Sequence, residues 1–258
     1  MTLRNRRQTS IAVRFYRSTL LLFHFFAGLA TVAVLFPFYG SARRRLAVAR
    51  WSARILAAVN VQTRVRGAPP SVTGRAAVLV ANHISWIDIP LVHSVWQVRF
   101  IAKSEVRRWP LIGWLSARTG TLFIQRGKSR HAARINQAIH AAFFAGDAVG
   151  VFPEGTTSDG TGLQRFHASL LQPAVDERAL VFPVRLRYLD EDGGVNVNAS
   201  YVGDTSLITS MGLVLRERRI VAELLFLPPI DAEGKSRRDL AQETHAAIDA
   251  ALSWRFPA

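Results

Sequence analysis

The chain has 258 residues, 49% of them hydrophobic, no cysteine and a formal net charge of +15. That is enough for one sizeable core and too apolar for a disordered protein. The missing cysteines exclude disulfides, thiolate metal sites and a cysteine nucleophile. Thirteen arginines and no Asp or Glu precede Asp88, a block suited to an anionic partner, either a phospholipid surface or a nucleic acid.

The segment between those arginines decides between the two. Residues 19–36, TLLLFHFFAGLATVAVLF, carry no formal charge and match the roughly 17–25 residues that a transmembrane helix needs. A nucleic-acid module has no use for such a run, so a DNA-binding reading rests on charge alone. A cleaved signal peptide is the alternative, but the run is long, lacks a small-x-small site and is followed by Pro37, Phe38 and Tyr39. Arginines flank it on both sides, so the positive-inside rule selects no orientation. Over residues 43–59, Arg43, Arg50 and Arg54 share one helical face and Val48, Ile55, Leu56 and Val59 the other. That is the pattern of a helix lying in a membrane interface. Two arrangements stand open: a hairpin turning at Pro37 and Gly40 that dips into one leaflet, or a spanning helix followed by an amphipathic core helix. Residues 1–66 are thus expected to be a basic membrane-anchoring helical segment, linked through Ala68-Pro69-Pro70 to a second domain over 67–258.

Strands and helices alternate through that second domain. Short apolar runs predict strands at 76–81, 98–102, 121–125, 148–152, 180–188 and 220–227. Helical spacing marks 105–118, split by Pro110 and Gly113, then 129–145, a short piece at 170–175 cut by Pro173, and 238–254. The pattern predicts an α/β fold with a mixed, largely parallel sheet flanked by helices.

Three constellations follow predicted strands, where α/β proteins place their ligands. The first is Asn82-His83-Ile84-Ser85-Trp86-Ile87-Asp88. A histidine is the usual general base near neutral pH, and a carboxylate on its other ring nitrogen fixes the tautomer. A bare His-x4-Asp spacing arises easily by chance, and the bland alternative is a helix-capping histidine beside a solvated Asp88. The second is Phe152-Pro153-Glu154-Gly155-Thr156-Thr157-Ser158, rich in hydroxyls and backbone N–H groups around a glycine that permits close approach. Here Glu154 could accept from an acceptor hydroxyl or pair with an arginine; an ordinary strand-to-loop turn is the alternative. The third is Gly120-Thr121-Leu122-Phe123-Ile124-Gln125-Arg126, whose terminal arginine is built to fork onto phosphate or carboxylate. The remaining histidines show no metal-ligand spacing.

In order and spacing, Asn82-His83-x4-Asp88, Gly120–Arg126, Phe152–Ser158 and Val181-Phe182-Pro183-Val184 resemble the four blocks of the 1-acylglycerol-3-phosphate acyltransferase family; Lys103-Ser104-Glu105 resembles its Lys-x-Glu element. The resemblance covers about residues 75–190. It implies a membrane-anchored α/β enzyme that moves a fatty acyl group from acyl-CoA or acyl-carrier protein to a lysolipid hydroxyl, without metal or redox cofactor. In that reading His83 is the base and Asp88 its partner. Arg126, Lys103 and the turn Glu154, Gly155 and Thr156 hold the acceptor. The implied acceptor is 1-acyl-glycerol-3-phosphate, giving phosphatidic acid, and the implied site is the cytoplasmic face of the inner membrane. One departure bears on substrate: the family often has Glu-Gly-Thr-Arg-Ser, and here the arginine position is Thr157. A missing charge there leaves room for lyso-ornithine lipid as acceptor, with Arg165 and His167 as compensating groups for phosphate. A non-catalytic lipid-binding protein on the same fold, and a hydrolase, are the rival readings; the lack of a Gly-x-Ser-x-Gly elbow counts against the hydrolase.

Overall fold

A computed structural model of the protein describes residues 8–67, 69, 74–124 and 129–254, with 129–136 described by backbone only. Ala68 and Pro70 of the expected linker, and Arg126, lie outside the described residues.

An eight-stranded sheet forms the centre. In chain order the strands are β1 (Val61–Arg66), β2 (Ala77–Ala81), β3 (Val98–Lys103), β4 (Leu122–Ile124), β5 (Ala148–Val151), β6 (Leu180–Leu189), β7 (Ile220–Phe226) and β8 (Ile230–Asp231). Their spatial order is β1-β7-β6-β2-β5-β3-β4, with β8 beside the start of β6. Pairing is parallel except for β6 with β7 and β6 with β8. The expected largely parallel α/β sheet is therefore present.

Helices cover both faces, which explains why the central strands read as unbroken apolar runs. In β2, Leu79 and Ala81 face one core with Ile55, Leu56, Leu91, Val184 and Leu224. Val78 and Val80 face a second core with Val151, Val181, Leu240 and Ile248. The first face carries α2 (Ser41–Ala58) and α3 (Asp88–Val95); α5 (Ser129–Phe144), α6 (Gln172–Asp176) and α8 (Arg237–Leu252) cover the other. Between them in sequence lie α4 (Ile112–Arg118) and α7 (Leu207–Arg216). As expected, the 105–118 stretch is split: a 3₁₀ turn at Ser104–Arg108 precedes α4, with Leu111 at φ 60° between them.

The N-terminal helix α1 (Ile11–Ala30) runs on through a π turn and a 3₁₀ turn to Phe38. Pro37, which has no N–H, lies in that last turn. Helix α2 then folds back against α1, where Trp51 Nε1 donates to the His24 carbonyl at 2.7 Å. A Cβ at Gly28 would lie 2.3 Å from that indole nitrogen, so only glycine admits the ring. The stretch Ile11–Phe38 is long and apolar enough to cross a membrane, with a mean hydropathy of 2.2. It turns Phe15, Phe23, Phe26 and Phe38 outward, and such a surface marks membrane association.

Two expectations need correction here. The apolar face of 43–59 does not lie free for lipid: Ile55, Leu56 and Val59 are buried in the protein core, because α2 packs on α3 and the sheet. Of the two open arrangements, the structure takes the hairpin pairing from one and the core-facing second helix from the other. Residues 61–66, assigned above to a helical segment, form the edge strand β1 in parallel register with β7. Its alternating VQTRVR pattern suits an edge, with Val61 buried and the arginines outside.

Candidate active site

Parallel strands deliver their C-terminal ends to one edge of the sheet, and the motif residues collect there. Val80 of β2 is in register with Val151 of β5, so His83 and Glu154 each follow three residues beyond paired positions. His83 Nδ1 and Asp88 Oδ2 are 2.6 Å apart. The intervening turn points the Ile84 and Ser85 N–H groups at the same oxygen, at 2.7 and 2.9 Å. The other carboxylate oxygen of Asp88 accepts from the Tyr188 hydroxyl at 2.5 Å. Asp88 is wholly buried, so its charge is tolerable only because four donors surround it. Burial first, then the adjacent Asp88, raises the Tyr188 pKa well above its usual 10, so the phenol stays a neutral donor.

The imidazole is 21% exposed. With Nδ1 donating to Asp88, Nε2 carries the lone pair. One face of the ring stacks on Phe152, with centroids 4.0 Å apart and planes within 9°, and Phe152 in turn stacks on Phe100. The backbone of His83 is gripped by the glutamate-containing block on both sides. Its N–H donates to Glu154 Oε1 at 2.9 Å, and its carbonyl accepts from the Ser158 N–H at 2.8 Å. Glu154 Oε2 accepts the Gln164 N–H at 3.2 Å. Burial raises the Glu154 pKa to about 7, against the opposing pull of these N–H groups and His83.

An imidazole backed by a buried carboxylate is chemically suited to general-base work. The acyltransferase family model matches residues 62–187. A lyso-ornithine lipid O-acyltransferase from Pseudomonas aeruginosa is 39% identical over 202 residues, covering 78% of this chain and 76% of that protein. The chain belongs to the acyltransferase family. A 1-acyl-sn-glycerol-3-phosphate acyltransferase from Neisseria meningitidis serogroup B is 34% identical over 211 residues, covering 81% and 82% of the two chains. The solved 1-acyl-sn-glycerophosphate acyltransferase of Thermotoga maritima shares the fold, with a TM-score of 0.68 at 22% identity over 95% of this chain and 100% of that one.

The remaining expected site residues of this acyltransferase divide. Gly155 occupies φ +68°, where glycine is favoured, and its N–H closes a turn onto the Phe152 carbonyl at 3.0 Å. Thr156 is exposed beside it. Glu154 is 3% exposed, and its two oxygens accept the His83 and Gln164 N–H groups. The Thr157 hydroxyl is engaged by the Tyr201 carbonyl. Lys103 is exposed at the end of β3, on the same sheet edge, in register with Ile124 of β4. Arg126 follows two residues after Ile124, outside the described residues. Arg165 and His167 are exposed in the segment that runs back along the glutamate block, where the His167 N–H meets the Pro153 carbonyl at 2.8 Å.

Tyr188 and the Phe100–Phe152 stack were missed by sequence reasoning. Phe152 was visible as a motif residue, but nothing local to Tyr188 signals that it reaches back one hundred positions. Trp86 packs on the first core. His93 is spent on structure: its Nε2 lies 3.0 Å from the Val98 carbonyl, and burial lowers its pKa to about 4. Among the described residues no group of three or more His, Asp or Glu could hold a metal ion.

Proposed function

We propose that the enzyme transfers a fatty acyl group from acyl-CoA or acyl-carrier protein to the free hydroxyl of a lysolipid. The observation that supports this most directly is the buried Asp88 held at Nδ1 of an imidazole that stays 21% exposed, which leaves Nε2 as the ring's basic nitrogen. His83 takes the proton from the acceptor hydroxyl, and the oxygen attacks the thioester carbonyl. The tetrahedral intermediate collapses with loss of the thiolate, which recovers the proton from the imidazolium. An ester and a free thiol result. Asp88 orients the ring and stabilises its cation. Because the acceptor attacks directly, the step requires neither a covalent acyl-enzyme nor a metal or redox cofactor. Lys103, Arg126, Gly155 and Thr156 hold the acceptor headgroup, with Glu154 as a positioning residue.

Two observations favour lyso-ornithine lipid as acceptor: a threonine replaces the frequent family arginine and spends its hydroxyl on Tyr201, and the Pseudomonas relative is 39% identical. The second reading is 1-acyl-glycerol-3-phosphate, giving phosphatidic acid. It draws support from the Neisseria relative and from Lys103 at the sheet edge. The outward apolar surface of α1 keeps the site beside the bilayer from which a lysolipid comes. Acyl thioesters are cytoplasmic, so the catalytic domain faces the cytoplasm from the inner membrane.

The test is thiol release by detergent-purified protein, with each lysolipid supplied separately. Acceptor-dependent release is expected with wild type, reduced about 10²–10⁴-fold in His83→Ala. Full activity in the variant sinks the mechanism, and release without acceptor makes the protein a thioesterase.

A further inference from the structure

At the opposite edge of the sheet from His83, the hairpin turn covers a cavity of about 540 Å³. The cavity lies where β3, β4 and β5 begin, beside Val98, Gly120 and Asp147. Its polar wall comprises Ser41, Arg44, Arg45, Arg99, Arg118 and Asp147. Four arginines thus meet one carboxylate. Asp147 accepts from Arg99 Nε at 2.8 Å and from Arg45 Nη1 at 3.4 Å, which leaves the wall strongly positive. His93 also lines it, but is neutral and bonded to the Val98 carbonyl. Like charges gathered this way repel one another unless an anion joins them.

The other wall is apolar: Phe36, Tyr39 and Val48. It continues outward into the exposed tip of the hairpin, where Phe38 is 81% and Val34 60% exposed. The start of α2 adds to the imbalance. Gly40 provides no side-chain cap, and the first turn contains no acidic residue. It carries Arg43, Arg44 and Arg45 at the end where the helix dipole already favours anions.

We infer that this cavity binds the phosphate of an anionic phospholipid headgroup, with the lipid chains lying along the apolar hairpin tip. Arg44 keeps its fork on the Phe36 carbonyl and Arg99 its fork on Asp147, so Arg45 and Arg118 are the side chains that reach the phosphate oxygens, and Phe36 and Tyr39 meet the glycerol and upper chains. The site is separate from the acceptor site and does not depend on which lysolipid is acylated. It supplies a fixed lipid that sets how the domain sits on the membrane.

The experiment is native mass spectrometry of the full chain released from detergent, with phosphatidylglycerol, phosphatidylcholine or inorganic phosphate added. Wild type is expected to retain one phosphatidylglycerol in preference to phosphatidylcholine. R45Q/R118Q should lower that affinity about tenfold or more, while R50Q/R54Q, which removes the same charge from the outer face of α2, leaves it unchanged. Gly40→Asp provides an independent arm. Its φ of −69° and open surroundings accept the side chain, and the new carboxylate should raise the melting temperature while weakening phosphatidylglycerol retention. Equal retention of the two lipids by wild type overturns the inference, as does an equal loss in both double variants. Unaltered binding in R45Q/R118Q or in Gly40→Asp does so as well. Displacement of the lipid by millimolar phosphate overturns the lipid in favour of a free anion.

Discussion

Asp88 is held in place by donors from three directions, and each has a separate consequence. The His-x4-Asp spacing made the dyad legible because its partners are five residues apart and a single turn joins them. Tyr188 was not legible, since its position beside Asp88 depends on β6 lying next to β2. Tyr188→Phe removes one donor to a buried carboxylate, at a cost of about 1–3 kcal/mol. The acyl-transfer kcat should fall roughly tenfold to a hundredfold with little change in KM, measured beside the melting temperature. Glu154 gives a pH dependence of stability. Its folded pKa of about 7 lies above the ordinary 4.5. Below about 4.5 both folded and unfolded chains hold the proton, and no penalty exists. Between about 4.5 and 7 the unfolded chain ionises first, so stability falls; above 7 the penalty is complete, at most about 3 kcal/mol. Glu154→Gln cannot ionise, so its melting temperature should gain on that of wild type between pH 5 and pH 8. A constant difference across that range would place the titration elsewhere.

Among the elements, the strands buried on both faces were the easiest to read. β2, β5 and β7 are short apolar runs bounded by turns, and composition alone marks them. Helix α3 was hidden because its eight residues include Pro90 and its length is too short for a period to emerge. β1 was hidden by its arginines, which made a half-exposed edge strand look like the tail of a basic helix. The antiparallel turn from β6 to β7 leaves no local signal at all, since α7 intervenes and a crossover of that length fits either direction. Where α1 and α2 meet, a residue without a side chain makes room for Trp51. Gly28→Val should force Trp51 away and break its bond to the His24 carbonyl. A loss of about 1–3 kcal/mol is expected, read as a lower melting temperature and a changed tryptophan emission. An unchanged spectrum would mean that the two helices are not in contact in solution.

On the scale of the whole molecule, the basic block and the outward apolar surface of α1 predict different responses to salt. The arginine block is screened by salt, whereas the outward phenylalanines of α1 are not. High salt should therefore leave wild type with the membrane fraction. The triple change F15S/F23S/F26S should make it extractable by salt, because those side chains are 75%, 64% and 56% exposed and contribute little to the core. Retention of the triple variant at high salt would shift the anchoring role to another surface. The apolar segment itself was plain in the sequence; that α2 turns its apolar side to the protein was not, since a helical wheel has no means of saying what covers it. The edge strand β1 has a further consequence. Its partner β7 lies 159 residues later in the chain, Val61 pairing with Ile220. At synthesis rates of roughly 5–20 residues per second, the hairpin waits many seconds before the strand that completes the sheet leaves the ribosome. The core-facing side of α2 meets α3 well before that, whereas the outward face of α1 has no cover from the described residues. The order of manufacture thus brings out the apolar hairpin first and the last long strand of the sheet late, so the outward face of α1 is open to a bilayer before the fold is complete.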